Sequence, residues 1–201
     1  MNSELIILLG PTASGKTRLA VQLAKKLDAE IISADSRQVY KDMNIGTGKD
    51  LEEYIIDDIT IPYHLINIRE AGEEYNIFEF QKDFSEAFQL IKSRNKTAIL
   101  CGGTGLYIDS ILKNYQYTAI PINPELRSKL ELFSQEELQC LFEEIPSAYT
   151  PLADTSTNKR LIRAIEIGTY LQENQHETEE RPLLKAKVFG IDVSREVRRE
   201  R

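Results

Sequence analysis

Gly10 to Thr17 read GPTASGKT and match the spacing G-x-x-x-x-G-K-[ST] at every fixed position. Such a run does chemistry on phosphates. Gly10 and Gly15 permit a tight curve and a close approach of backbone to an anion, and Lys16 adds a point charge. The Thr17 hydroxyl is a candidate ligand for Mg²⁺. All eight residues, Gly10, Pro11, Thr12, Ala13, Ser14, Gly15, Lys16 and Thr17, are therefore candidates for holding a diphosphate or a nucleotide. A second polar group, Asp35-Ser36-Arg37-Gln38, offers a carboxylate suited to accepting a proton. A third, Gly102-Gly103-Thr104-Gly105, places one hydroxyl in a glycine-rich turn between a strand and a helix.

The elements around these residues decide whether the spacing has meaning. Leu5-Ile6-Ile7-Leu8-Leu9 is a continuous apolar run suited to a strand buried on both faces. Leu19, Ala20, Leu23, Ala24 and Leu27 follow the loop at amphipathic helical spacing. Strand, glycine loop and helix together aim several N–H groups at one anion. Residues 29–34 read as a second strand that delivers Asp35 at its carboxyl end, where ligands sit in open α/β sheets. Residues 44–50 form a glycine-containing loop, and residues 60–68 (TIPYHLINI) read as a third strand. The spacing predicts a helix over 77–91, a strand over 97–100 and a helix from Leu106 to Leu112.

From about Asn123 the texture changes to helices without strands, at 124–133, 135–144 and 157–172. The polar stretch 173–180 reads as a mobile loop, and residues 186–193 return to strand character and rejoin the sheet. Ser194 would cap a further helix. The expectation is a P-loop NTPase-like α/β fold: a parallel sheet flanked by helices over 1–120, a helical insertion domain over 121–180, and a return to the core over 181–201.

Composition sets bounds. A chain of 201 residues with 41% hydrophobic content supports a packed core, and no apolar run is long enough to span a bilayer. A soluble, cytoplasmic protein is expected, with Cys101 and Cys140 as reduced thiols. The formal charge of −7 argues against coating nucleic acid through bulk electrostatics, while leaving room for a local basic surface. His64 reads as a packed, hydrogen-bonded histidine.

GPTASGKT, SADSRQVYKDMNIGTGK over 33–49, GGTGLYI over 102–108 and NKRLIRAIEI over 158–167 together resemble the tRNA dimethylallyltransferases, in the order and spacing of that family. The resemblance implies transfer of a dimethylallyl group from dimethylallyl diphosphate to the exocyclic amine of the adenosine 3′ of the anticodon, with Mg²⁺ as cofactor. It implies catalytic roles for Asp35 as proton acceptor, Thr12 beside the bridging oxygen and Lys16 on the leaving diphosphate. It further implies contacts to the anticodon stem-loop of tRNA from Asp35, Ser36, Arg37, Gln38, Thr104, Arg127, Lys159, Arg160, Leu161, Ile162 and Arg163. The family carries glutamine where this chain has Lys159, and it continues well past Arg201, so a C-terminally truncated, monomeric form is expected. Three other readings compete: a kinase binding ATP on the same loop, a non-catalytic tRNA-binding protein, and a transferase whose acceptor is adenylate.

Overall fold

Leu5–Leu9 (β1) is the apolar strand before the glycine loop, and Lys16–Leu27 (α1) is the helix after it. The computed structural model describes residues 5–49, 51–174 and 183–194 together with Glu196. Ala29–Ser33 (β2) follows α1, and a single 3₁₀ turn, Leu51–Tyr54, leads into a hairpin of Ile55–Ile56 (β3) and Ile59–Thr60 (β4). Tyr63–His64 (β5), Ile77–Ser93 (α2), Thr97–Gly102 (β6) and Gly105–Leu112 (α3) come next. With Ala186–Gly190 (β7), the strands form one parallel sheet in the order β5-β2-β6-β1-β7.

Two apolar layers cover the sheet because alternate residues of each strand point to opposite faces. Leu5 and Ile7 join Ile32, Leu100 and the α2 residues Phe80, Phe84 and Phe88 in one cluster. Leu8 joins Ile31, Ile99 and the α1 residues Ala20, Val21 and Ala24 in the other. Helix α2 starts sharply because Asn76 and Glu79 form a reciprocal capping box. It is tied to α3 by the stacked rings of Phe80 and Tyr107, 4.1 Å apart.

The strand expected over 60–68 is corrected. Only β4 and β5 form there, because Pro62 has no N–H to give a ladder, and Leu65 and Asn67 adopt left-handed φ of 62° and 57°. The final strand is also shorter than its apolar signal, ending at Gly190, though it does pair in parallel with β1. The mobile loop expected over 173–180 and the helix expected after Ser194 lie almost wholly outside the described residues.

The chain divides into two units, Met1–Asn114 with Pro182–Arg201, and Tyr115–Arg181. The second contains Pro124–Leu130 (α4), Gln135–Glu143 (α5), a short 3₁₀ turn at Thr150–Leu152, and Asn158–Glu173 (α6). Asn123, Ser134 and Thr157 cap the three helices through their side chains. Leu130, Leu138, Phe142, Leu161 and Ile165 form its core. Among the described residues no helix is long and apolar enough to cross a membrane.

Candidate phosphate and acceptor site

The glycine loop takes its shape from two left-handed residues, Ala13 at φ 61° and Gly15 at φ 82°. Gly15 caps α1 without a side-chain hydrogen bond, so the first N–H groups of the helix stay available to an anion. Lys16 Nζ donates to the Pro11 carbonyl at 2.6 Å and so arches over its own loop. Burial lowers the Lys16 pKa from its ordinary value, while the neighbouring charge of Asp35 works in the opposite direction. Cys101, at the end of β6, faces the same lysine; burial pushes its thiol up to about 12, so it stays protonated and neutral near pH 7. Ser14 Oγ is buried without a hydrogen-bond partner among the described residues, an unmet polar group within the loop.

Two close approaches require glycine. A Cβ on Gly102 would stand 2.1 Å from the Ala34 carbonyl oxygen, and one on Gly10 would stand 2.7 Å from that of Ile191. The absence of side chains at these points lets the carboxyl end of β6 approach the chain leaving β2, and that of β1 approach the chain leaving β7. A Cβ built on Gly103 would fall 3.9 Å from Lys16 Nζ, so the turn after β6 borders the phosphate loop.

Asp35 stands one residue beyond the end of β2, after Ala34, its side chain 17% exposed, and accepts a hydrogen bond from the Arg37 N–H at 2.9 Å. This bond occupies one lone pair of Oδ1 and closes an Asx turn, leaving acceptor capacity on the carboxylate. Thr104 locks the neighbouring segment. Its N–H donates to the Ala34 carbonyl at 3.1 Å, and its Oγ1 accepts from the Ser36 N–H at 3.0 Å. Thr104 thus links the third polar group to the second. Gln38 does likewise for the loop beyond, donating to the Gly48 carbonyl and accepting from Ser33 Oγ, both at 3.0 Å. Both ends of its amide are used within the protein, while the Arg37 side chain is exposed.

Residues 41–49 are held from below. Lys49 is buried and donates to the Tyr40 carbonyl and to Asn67 Oδ1, the latter at 2.6 Å. Buried Thr47 donates to the Met43 carbonyl at 2.7 Å. A Cβ on Gly48 would lie 4.0 Å from the Thr12 methyl, so this loop borders the phosphate loop at the residue the resemblance places beside the breaking bond.

The helical unit treats its basic residues differently. Glu166 is buried, with a fully covered side chain, and accepts from Arg127 Nε at 3.2 Å, Arg127 Nη2 at 2.5 Å, Arg163 Nη1 at 3.4 Å and the Asn123 N–H at 3.2 Å. Arg163 also donates to the carbonyls of Ile120 and Pro121. Arg127 and Arg163, expected on RNA, are therefore engaged internally. Leu161 and Ile162 lie deeper still: at 0% and 6% exposure their side chains belong to the helical core. Arg160 pairs with Asp154 and Ser156 at the surface, and Lys159 is exposed with no partner among the described residues. Glu166 was not anticipated, though an acid inside the apolar face of RAIEI was the available signal. His64, as expected, is hydrogen-bonded, to buried Glu30 at 2.8 Å.

No cluster of three or more metal-ligating side chains occurs among the described residues. This donor set suits Mg²⁺ only as a shared ion, because Mg²⁺ keeps waters and takes substrate phosphates as ligands. The Thr17 hydroxyl, in the first turn of α1, has no partner among the described residues and fits that role.

A family model described as IPP transferase matches residues 38–201, and one described as isopentenyl transferase matches residues 3–61. A tRNA dimethylallyltransferase 2 from Phocaeicola vulgatus is 50% identical over 198 residues, covering 98% of this chain and 64% of its own length. Its counterpart from Bacteroides fragilis is 49% identical with the same coverage. The chain thus spans just under two thirds of these curated relatives. Among solved structures, a eukaryotic dimethylallyltransferase acting on tRNA superposes with a TM-score of 0.70 at 25% identity, over 94% of this chain and 48% of the other. A full-length tRNA isopentenylpyrophosphate transferase from Bacillus halodurans gives 0.54 at 33% identity, over 83% and 55%.

Proposed function

The chain belongs to the IPP transferase family, and we propose that it carries the donor and acceptor sites of a tRNA dimethylallyltransferase. In this reading dimethylallyl diphosphate lies on the Gly10–Thr17 loop, and an adenine amine attacks its allylic carbon as the bond to diphosphate breaks. The observation that carries the proposal is the meeting of two chemistries at the carboxyl ends of β1 and β2, the strands on either side of β6: a loop with free N–H groups and Lys16, and the carboxylate of Asp35 close enough to act on that lysine's charge.

Negative charge develops on the departing diphosphate, so Lys16 and the loop N–H groups act where they are already aimed. Lys16 would exchange its Pro11 carbonyl for a diphosphate oxygen. Mg²⁺, held by Thr17 and the diphosphate, would supply further charge neutralisation when bound. Asp35 accepts a proton from the adenine amine, a poor nucleophile that gains most from a carboxylate within hydrogen-bond reach. Thr12 borders the position of the bridging oxygen. Thr104 and Gln38 act by positioning, one fixing the Ser36 backbone and the other fixing the 43–49 loop.

The test is transfer of label from dimethylallyl diphosphate to unmodified tRNA with adenosine 3′ of the anticodon, run beside adenylate and beside Asp35→Ala. Label in tRNA that the variant lacks supports the proposal. Transfer to adenylate alone would move the acceptor assignment, and ATP-dependent phosphorylation without prenyl transfer would overturn it in favour of a kinase.

A further inference from the structure

Ile45 is 98% exposed on the loop that borders Thr12, and Met43 beside it is 44% exposed. Two features set this apart from a stray surface aliphatic. First, the loop is built to hold its shape: Gly46 and Gly48 take left-handed φ of 75° and 65°, Thr47 and Lys49 anchor it from beneath, and Gln38 grips the Gly48 carbonyl. Second, it stands at the rim of the site, since Gly48 abuts the Thr12 methyl and three residues of chain reach at most about 11 Å. A rigid mount is thereby provided for an apolar side chain that buries nothing of its own.

We propose that Ile45 is an RNA wedge, an apolar side chain that enters the gap left when the acceptor adenine swings out of its stack toward Asp35. This inference rests on the reading of the site as one that takes an RNA adenine. A stacked base cannot bring its exocyclic amine against a buried strand end, so it must be extruded, at the cost of lost stacking. Apolar side chains offset that cost by packing on the base steps they part. Isoleucine suits the task because its β-branch leaves few rotamers to freeze. Methionine at 43 adds a softer apolar contact alongside. The fixed loop determines which nucleotide is displaced, because the distance from Ile45 to Thr12 is set by the Gly46–Gly48 backbone.

The experiment uses the intact protein and an anticodon stem-loop RNA with 2-aminopurine next to the acceptor adenosine, whose fluorescence rises on unstacking. Wild type, Ile45→Ala, Ile45→Asn and Ile45→Leu are compared, and the exposure of Ile45 means that none should disturb folding. Ile45→Ala is expected to lose most of the fluorescence rise and on the order of tenfold in kcat/KM for RNA, as when about two of the three carbon groups it removes had been packed on a base. Ile45→Asn should lose at least as much, and Ile45→Leu should recover most of it. On an RNA with an abasic site beside the acceptor, where there is less stacking to break, wild type and Ile45→Ala should converge. Affinity for dimethylallyl diphosphate should be unchanged throughout. Equal fluorescence rises in wild type and Ile45→Ala, or an equal defect on stacked and abasic RNA, would overturn the wedge alone. A wild-type protein that binds diphosphate but neither binds nor unstacks the RNA would overturn the underlying reading of the site with it.

Discussion

The charged residues of the phosphate loop and those of the helical unit meet opposite fates. Around Gly10–Thr17 the polar groups are left incomplete: the α1 N-terminus has no side-chain cap, Ser14 Oγ is buried without a partner among the described residues, and Lys16 reaches only a carbonyl of its own loop. Around Glu166 they are completed, with two arginines and a backbone N–H converging on one buried carboxylate. Unmet hydrogen-bonding capacity in the first region implies a ligand that supplies the missing partners. Saturated capacity in the second implies a structural joint between α6, α4 and the 120–123 segment. Residue type alone would have called both regions basic binding sites.

The largest effect should come from the incomplete side. Lys16→Ala is expected to lower turnover by about 10³-fold or more and to weaken dimethylallyl diphosphate binding, since a pre-aimed charge is lost in both ground and transition states. Binding calorimetry with the diphosphate and single-turnover transfer check the two halves separately. Retained turnover would remove the loop from the chemistry. Asp35→Asn keeps the Asx turn but cannot accept the amine proton, so turnover should fall about 10²-fold with diphosphate affinity unchanged. A parallel loss of affinity would instead assign Asp35 to metal or donor binding.

On the completed side the loss should appear in stability. Glu166→Gln leaves two partly buried guanidinium groups without their counter-charge, and chemical denaturation should register a loss of about 3 kcal/mol. An unchanged midpoint would mean that the arginines are free to serve RNA after all. A second buried acid, Glu30, sharpens the point through pH. Burial alone would raise its carboxyl, but hydrogen bonds and charge from His64 and Arg94 outweigh burial and leave it below the ordinary value of 4.5. A carboxyl depressed in the folded state adds stability that is complete above pH 4.5 and lost as pH falls through its lower folded value. Glu30→Gln should therefore flatten the acid limb of a pH–stability profile without altering its neutral limb's slope.

These two regions also mark what could be read from sequence. The GPTASGKT loop, its flanking strand and helix, and Asp35 at the end of β2 were legible because local backbone demands choose those residues: glycine where φ is positive or a Cβ would clash, and apolar alternation where a strand is covered twice. The 60–68 segment misled because β-rich residues there are interrupted by left-handed turns at Leu65 and Asn67, a conformation leucine rarely signals. Leu161 and Ile162 were assigned to RNA as part of a motif, although their apolar character fitted the helical core they occupy. The internal engagement of Arg127 and Arg163 was hidden for a different reason. The partner that engages them, Glu166, lies three residues from one but 39 from the other, and only the packed fold brings all three together.

The smallest effect separates the free cation from the engaged ones. Lys159 is exposed and unpartnered among the described residues, whereas Arg163 on the same helix is tied to Glu166, Ile120 and Pro121. If RNA phosphates meet this helix, Lys159→Ala should weaken RNA binding modestly and reduce the slope of log K against log salt by roughly 0.7–0.9, the contribution of one released counterion. Arg163→Ala should lower the denaturation midpoint while leaving that slope nearly unchanged, because a guanidinium already neutralised by a carboxylate releases few counterions. Binding titrations at several salt concentrations with the anticodon stem-loop read both. The reverse pattern, a slope that responds to Arg163 and ignores Lys159, would show that the joint around Glu166 opens on RNA and that the two regions differ less in the complex than they do in the free protein.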